Sequence, residues 1–381
     1  MSQIIGVLLP LPFNDVFDYK TEENVPLGSF VRVPFGRERQ IGVVWKIGRS
    51  SKLEENKIKA VSEVLNFPPL SEALRKFVTF VASYNMAFLG LTLKMVMGVK
   101  AVFDDNQTMT LYRLSGKTLA EAKLKNSDAR WRVMELLRHY PYTRAEICAG
   151  AGCGSSVVKT MIDAGVLEPF TVEKKKSFQL PDAEHQKVSL TAEQAEAAAR
   201  LVAKIGGGFS VTLLDGVTGS GKTEVYLSAI ERVLAAGRSA CVLVPEISLT
   251  PQTVGRFRGR FGDLVAVMHS RMSQGERYDQ WDFIKSGAAR VVVGARSALF
   301  TPLSNIGLIV IDEEHEGSYK QDSAPRYDAR EVARWMVERS GGVLVGGAAT
   351  PSIEALYACE QGGSWTKVDL PDRANGKPLP A

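Results

Sequence analysis

The stretch Gly216-Val217-Thr218-Gly219-Ser220-Gly221-Lys222-Thr223 constrains this chain more than any other. An apolar, strand-like run from Phe209 to Leu214 leads into it, and a helical pattern from Glu224 to Ala236 follows. Glycines at those positions let backbone N–H groups approach phosphate oxygens. Lys222 brings a positive charge to the terminal phosphates, and Thr223 offers a hydroxyl to Mg²⁺. Gly216, Gly219, Gly221, Lys222 and Thr223 are therefore expected to bind ATP, with Mg²⁺ on Thr223.

The same loop fixes a fold class for its surroundings. Strands are expected at 210–215, 239–244, 264–268, 290–294, 306–312 and 342–346, with helices between most of them. That alternation is a doubly wound α/β domain carrying the phosphate loop at the carboxyl end of its first strand. A second motif fits this domain. Ile306 to Ile311 is a buried apolar strand that runs into Asp312-Glu313-Glu314-His315. Adjacent carboxylates repel unless a cation or partners compensate. Asp312 is expected to hold Mg²⁺, and Glu313 to activate or orient an attacking water. Lys222, Asp312 and Glu313 are the expected catalytic residues.

Ahead of this domain the chain reads differently. Residues 1–105 carry short β-branched runs at Ile4–Pro10, Phe30–Pro34 and Ile41–Ile47, then a helical stretch from Ser71 to Tyr84. A small β-rich domain with a helix is expected there. Residues 106–176 show helical spacing at Ala129–His139, Arg144–Ala149 and Ser155–Ala164, closed by a short strand at Gly165–Phe170. That is the pattern of a winged helix, with Ser155, Ser156, Lys159 and Thr160 on its third helix. Lys174-Lys175-Lys176 opens a polar linker reaching about His185, so the third domain is read as 177–381.

Charge supports a division of labour. Of the net +5, residues 111–180 hold 12 Lys/Arg against 7 Asp/Glu, whereas residues 181–381 hold 22 against 24. A basic front on a nucleotide-binding domain suits a polyanion. No run approaches the ~18 apolar residues of a membrane span, and no basic region precedes the first apolar run. Cys148, Cys153, Cys241 and Cys359 are scattered, so neither a zinc site nor a disulfide framework is expected in this chain. The expectation is a cytoplasmic protein with no membrane partner.

Asp-Glu-x-His after the phosphate loop resembles superfamily 2 helicases, and further motifs resemble theirs in order. Leu190-Thr191-Ala192-Glu193-Gln194 resembles the motif whose Gln reads adenine. Val244-Pro245-Glu246 to Gln252 resembles motif Ia, Val293-Gly294-Ala295-Arg296 to Phe300 resembles motif Ib, and Gly347 to Ser352 resembles motif III. The loop from Glu316 to Arg330, with Tyr319, Lys320, Arg326 and Tyr327, is similar to the aromatic-rich loop of the PriA family of replication-restart helicases. Val16-Phe17-Asp18-Tyr19 and Val31 to Gly36 are similar to that family's DNA 3′-end-binding domain.

The resemblance implies a multidomain protein. It would consist of a β-rich domain that binds DNA 3′ ends, a winged helix, and the first RecA-like α/β lobe of a helicase. It implies ATP-dependent 3′-to-5′ unwinding at stalled or D-loop forks, and primosome assembly. Forked and single-stranded DNA, the single-stranded-DNA-binding protein and primosome proteins are the implied partners. Gln194 is implied at ATP. Phe17, Asp18, Gly36, Lys59, Arg296, Tyr319, Lys320, Arg326 and Tyr327 are implied at DNA. The family's second lobe and its Zn²⁺-binding Cys-rich insertion are expected beyond this chain, which reads as an N-terminal half that binds DNA and, weakly, ATP without unwinding. A non-catalytic DNA-binding scaffold and another superfamily 2 fork-remodelling translocase are the alternative readings.

Overall fold

The computed structural model describes residues 3–48, 54, 57–97, 108–138, 142, 144–173, 189–270, 272 and 274–374. The chain forms two compact units, one of Met1–Val102 with Gln179–Ala381, the other of Phe103–Phe178. The expected linker opening at Lys174 lies outside the described residues. The three-way division expected from sequence is thus modified, since the first and third segments make one unit.

The amino-terminal part of the larger unit holds five strands: β1 (Gln3–Leu8), β2 (Phe17–Thr21), β3 (Phe30–Phe35), β4 (Glu38–Ile47) and β5 (Glu63–Val64). They pair in the order β2-β1-β4-β3-β5. The stretch before β5 closes the sheet on itself. Lys20 N–H donates to the Lys59 carbonyl at 3.0 Å, and Val61 N–H donates to the Lys20 carbonyl at 2.9 Å. Closure removes the exposed edge of β2 and encloses a core of Ile5, Val7, Tyr19, Val31, Val33 and Val44. β2 was not foreseen, because Phe-Asp-Tyr-Lys-Thr alternates over only five residues.

Two helices follow, α1 (Glu72–Tyr84) and α2 (Leu89–Val96). Ser71 Oγ accepts the Leu74 N–H at 3.2 Å, which caps α1. The inner face of α1 explains why the first and third segments are one unit. The Phe77 ring lies 5.4 Å from Phe300 and 5.6 Å from Trp335, and Phe80 stacks on Trp335 with centroids 4.5 Å apart. Each such pair adds about 0.5–1.5 kcal/mol beyond its area burial.

The smaller unit consists of β6 (Thr108–Leu114), α3 (Asp128–Leu136), α4 (Arg144–Gly150), α5 (Ser155–Asp163) and β7 (Leu167–Glu173). β6 and β7 pair antiparallel along their whole length. Val133, Ile147, Val158, Met161 and Val166 form its core. α3 ends at Leu136, and His139 lies outside the described residues. Ser155, Ser156, Lys159 and Thr160 are exposed on α5.

The carboxyl-terminal part of the larger unit comprises α6 (Ala192–Val202), β8 (Ser210–Gly216), α7 (Lys222–Ala235), β9 (Ser239–Leu243), α8 (Pro251–Phe261), β10 (Val265–Met268), α9 (Gln274–Lys285), β11 (Val291–Gly294), β12 (Ile306–Asp312), α10 (Ala329–Ser340), β13 (Val343–Ala348), α11 (Ile353–Gln361) and β14 (Trp365–Leu370). The seven strands are parallel in the order β10-β11-β9-β12-β13-β8-β14. Central strands β9 and β11 are buried at every position, and β12 at all but its last, as a sheet covered on both faces requires. β14 escaped the sequence reading because it is an edge strand, with only Val368 and Leu370 buried. β8 and β12 flank β13, which brings the phosphate loop and the acidic motif to the same end of the sheet.

Candidate functional site

The phosphate loop turns β8 into α7. Gly221 sits at φ +85° directly before α7, and a Cβ there would lie 2.2 Å from Gln194 Nε2. The positive φ favours glycine, and any larger residue would also have to push the Gln194 amide aside. Lys222, in the first turn of α7, is buried, and its Nζ donates to the Gly216 carbonyl at 2.7 Å. Thr223 is half-buried beside it. Ser220 Oγ is buried without a protein partner. The segment after β14 closes over the loop, with Arg373 Nε donating to the Thr218 carbonyl and Ala374 N–H to the Gly219 carbonyl. Neither contact was foreseen.

Gln194 stands differently from a side chain reaching for a base. Its Oε1 accepts the Thr191 N–H at 3.0 Å, and its Nε2 donates to the Ser220 carbonyl at 2.8 Å. Thr191 Oγ1 in turn accepts the Gln194 N–H, completing a capping box on α6. In this arrangement both ends of the amide serve the chain itself, and Gln194 braces the phosphate loop.

At the end of β12, Asp312 Oδ1 accepts from Tyr226 Oη at 3.1 Å. Burial is the main force raising the Asp312 carboxyl above its ordinary range, and the Glu313 charge adds to it. Tyr226 and Lys222 pull the other way. Tyr226 is buried on α7, and its own phenol is pushed well up, first by burial and then by Asp312. Its hydroxyl fits only because position 347 is glycine, where a Cβ would fall on that oxygen. Glu313 takes φ +49°, an uncommon conformation for a non-glycine residue. That turn sends the chain back across the sheet end, where Glu314 N–H donates to the Gly347 carbonyl at 3.0 Å.

Glu314, third of the acids, has a distinct position that sequence reasoning missed. It is buried, and its carboxylate accepts from Ser352 N–H at 2.6 Å and Ser352 Oγ at 3.0 Å. It therefore ties the acidic motif to the start of α11. Arg330, itself paired with Asp328, donates to the Glu314 carbonyl at 2.9 Å. The signal was present, since a third carboxylate beside two others needs donors of its own, but its donor is 38 residues away.

Of the four residues expected at DNA in the loop between β12 and α10, the two tyrosines are buried and the two cations are exposed. Tyr319 is 1% exposed, and its hydroxyl donates to the carbonyls of Asp312 at 2.5 Å and Leu243 at 3.2 Å. Tyr327 is 4% exposed and packs edge-on against Phe300 at 5.1 Å. Their rings are core here because the loop folds inward over the sheet end. Lys320 and Arg326 are exposed. Arg296 pins the loop, donating to the carbonyls of Ser318 at 2.5 Å and Lys320 at 3.1 Å.

In the β-rich part, Phe17 opens β2 and meets Phe13 and Phe35 at centroid distances of 5.1 and 5.0 Å. Gly36 follows Phe35 in the exposed β3–β4 turn, with open space where a Cβ would stand. Asp18 follows Phe17, half-buried, and Lys59 is exposed on the segment that closes against β2. Phe17 and Asp18 thus lie on β2, Gly36 follows the ring that Phe17 touches, and Lys59 pairs through its backbone with Lys20 of the same strand. Phe13, 39% exposed, joins them without having been singled out.

The donor set at the end of β8 and β12 fits Mg²⁺ with a nucleotide. Hard oxygen ligands suit this ion, which typically takes one or two protein groups together with substrate phosphates. The half-buried Asp312 carboxylate, held above its ordinary range, is a group that a divalent cation would relieve.

A family model described as the 3′DNA-binding domain (3′BD) of PriA matches residues 6–98. One described as the res subunit of type III restriction enzymes matches residues 187–352. The replication restart protein PriA of Haemophilus influenzae is 35% identical over 378 residues, covering 94% of this chain and 51% of that protein. The Bacillus subtilis protein of the same name is 34% identical over 445 residues, covering 96% and 55%. The Synechocystis protein is 39% identical over 283 residues, covering 73% and 32%. The chain spans about half the length of the first two.

Proposed function

Because the chain belongs to the PriA family of replication restart proteins, we propose that it is the front part of an ATP-driven DNA helicase that recognises a DNA 3′ end at a fork and helps restart replication. The observation that carries the reading is the convergence of the phosphate loop and the acidic motif at the same end of the sheet, on strands β8 and β12 with β13 between them, and the hydrogen bond from Tyr226 of α7 to Asp312. Lys222 and the loop N–H groups would hold the phosphates of ATP. Thr223 and Asp312 would hold Mg²⁺, whose chemistry is to neutralise charge on the transferred phosphoryl group. Glu313 would orient the attacking water. Arg296, Lys320 and Arg326 would meet the DNA backbone, with Tyr319 linking their loop to Asp312. The smaller unit serves as a winged helix on the duplex, through the exposed face of α5. Unwinding, 3′-to-5′ polarity, and contacts with the single-stranded-DNA-binding protein and other primosome proteins belong to the longer protein of which this is a part, as does any zinc site.

The 3′-end pocket provides the test. Asp18 can accept a hydrogen bond from a terminal hydroxyl and repels a terminal phosphate. The chain should bind DNA ending in a 3′ hydroxyl at least about tenfold more tightly than the same DNA ending in a 3′ phosphate, from roughly 1.5–3 kcal/mol. Asp18→Asn should shrink that ratio more than it lowers affinity. Equal binding of both ends would remove the 3′-end pocket and leave a general strand-binding surface.

A further inference from the structure

Tyr226 is a residue that stability alone does not ask for. Its ring is 1% exposed and belongs to the same core as Leu214, Val310 and Val345. A phenylalanine would fill that place without burying a hydroxyl, which is costly unless it is paired. The hydroxyl also makes a demand on the neighbouring strand. A Cβ at position 347 would fall on Tyr226 Oη, so β13 carries glycine there. Glycine inside a strand weakens it and often marks a place where another group must come close. Two local rules are broken for one oxygen, which is the pattern of a functional position.

That oxygen donates to Asp312 Oδ1 at 3.1 Å. A phenol holds its proton at neutral pH, so the bond has one direction. The Glu313 N–H reaches the same carboxylate, but from the turn that follows it. Tyr226 reaches it from α7, four residues after Lys222. Residues four apart share a helix face. One face of α7 therefore carries the lysine in its first turn and the tyrosine one turn further on, both buried. The orientation of Asp312 is thus referred to the helix that begins at the phosphate loop.

A carboxylate at a strand end can turn about its last bond. A hydrogen bond to Oδ1 fixes its plane, and with it the direction of Oδ2. We propose that Tyr226 is a positioning residue for Mg²⁺, orienting the Asp312 carboxylate relative to Thr223 and the phosphate loop so that the cation is accepted together with the nucleotide. Tyr226 acts through Asp312 and is not itself a ligand. Gly347 completes the arrangement by leaving room for the hydroxyl. The inference rests on the function proposed above and adds to it a residue from outside both motifs. Groups that orient metal ligands from behind typically change metal affinity by about 10–100-fold when removed.

Mg²⁺ titrated into the full chain with a fluorescent ATP analogue, followed by anisotropy, provides the test. Tyr226→Phe removes only the oxygen. It should raise the Mg²⁺ concentration at half-effect about tenfold, while metal-free affinity for the analogue stays within about twofold, because the phosphate contacts lie on Lys222 and the loop. A purely structural hydroxyl would lower the melting temperature and leave the Mg²⁺ midpoint in place. Gly347→Ala keeps the phenol but displaces it, and should move the midpoint the same way. The double substitution should move it no further than the larger single one, since both remove the same hydrogen bond. An unchanged midpoint in Tyr226→Phe would overturn the positioning role and leave the nucleotide site standing. Effects of the two substitutions that multiply would do the same, as would metal-free affinity that falls as far as the midpoint rises. No Mg²⁺-strengthened binding in the unsubstituted chain would overturn the positioning role together with the function it rests on.

Discussion

Tyr319→Phe separates a structural latch from a DNA contact. The substitution removes one oxygen and leaves the ring, so it opens no cavity of consequence. The hydroxyl bridges the carbonyls of Asp312 and Leu243, the last residues of two neighbouring strands. The ring around it is 1% exposed, so water does not replace the lost donor. Leaving a buried acceptor unsatisfied costs about 1–3 kcal/mol. For a unit of this size, each kcal/mol shifts the melting temperature by about 2 °C, giving a fall of about 2–6 °C. Thermal unfolding followed by circular dichroism, with single-strand affinity measured in parallel, reads both halves. Stability should drop while affinity for a single strand in the absence of nucleotide changes less than about twofold, because the ring is not at the surface. A melting temperature within 1 °C of the parent would refute the latch.

Three further outcomes follow from the same geometry. Asp312→Asn should raise the melting temperature of the chain at neutral pH without nucleotide. The Asp312 carboxyl has a raised folded-state pKa, so the parent loses stability as pH rises from about 4 through that value, and Asn does not. The advantage should vanish below pH 4, and an advantage that persisted there would point to a cause other than ionisation. Gly347→Ala should destabilise by about 1–3 kcal/mol, read by urea unfolding, since the new Cβ must displace the Tyr226 hydroxyl from its place beside Asp312; unchanged stability would mean that Tyr226 is free to move. Ser352→Ala should cost about 1–3 kcal/mol in the same assay, because it removes one donor from the buried Glu314 carboxylate and the side-chain cap of α11, and a loss under about 0.5 kcal/mol would leave the Ser352 N–H as the sole working tie between Glu314 and α11.

Much of the α/β architecture was legible in the chain because parallel strands covered on both faces are unbroken apolar runs. Ile306 to Ile311 and Val291 to Val293 could be read as buried strands directly. The phosphate loop and the acidic motif were legible for a similar reason, since their chemistry is local in sequence. β14 and β2 were not, as an edge strand and a five-residue strand each bury too few side chains to set a pattern. Tyr319 and Tyr327 illustrate a different limit. Aromatics interleaved with cations have the composition of a DNA-contacting loop, and composition does not say which way a ring points. The Gln194–Ser220 and Glu314–Ser352 contacts join residues 26 and 38 positions apart, and only the folded chain reveals them.

Titration of the chain with a fluorescent ATP analogue, followed by anisotropy with and without Mg²⁺, tests the central claim most directly. The account predicts saturable binding that Mg²⁺ strengthens. Lys222→Ala should weaken it at least tenfold, the equivalent of one lost charge-assisted contact of roughly 1.5–3 kcal/mol. Asp312→Asn should abolish the Mg²⁺ dependence while leaving metal-free binding in place. Binding that is indifferent to Lys222 and to Mg²⁺ would contradict the assignment of the β8 and β12 strand ends as the nucleotide site.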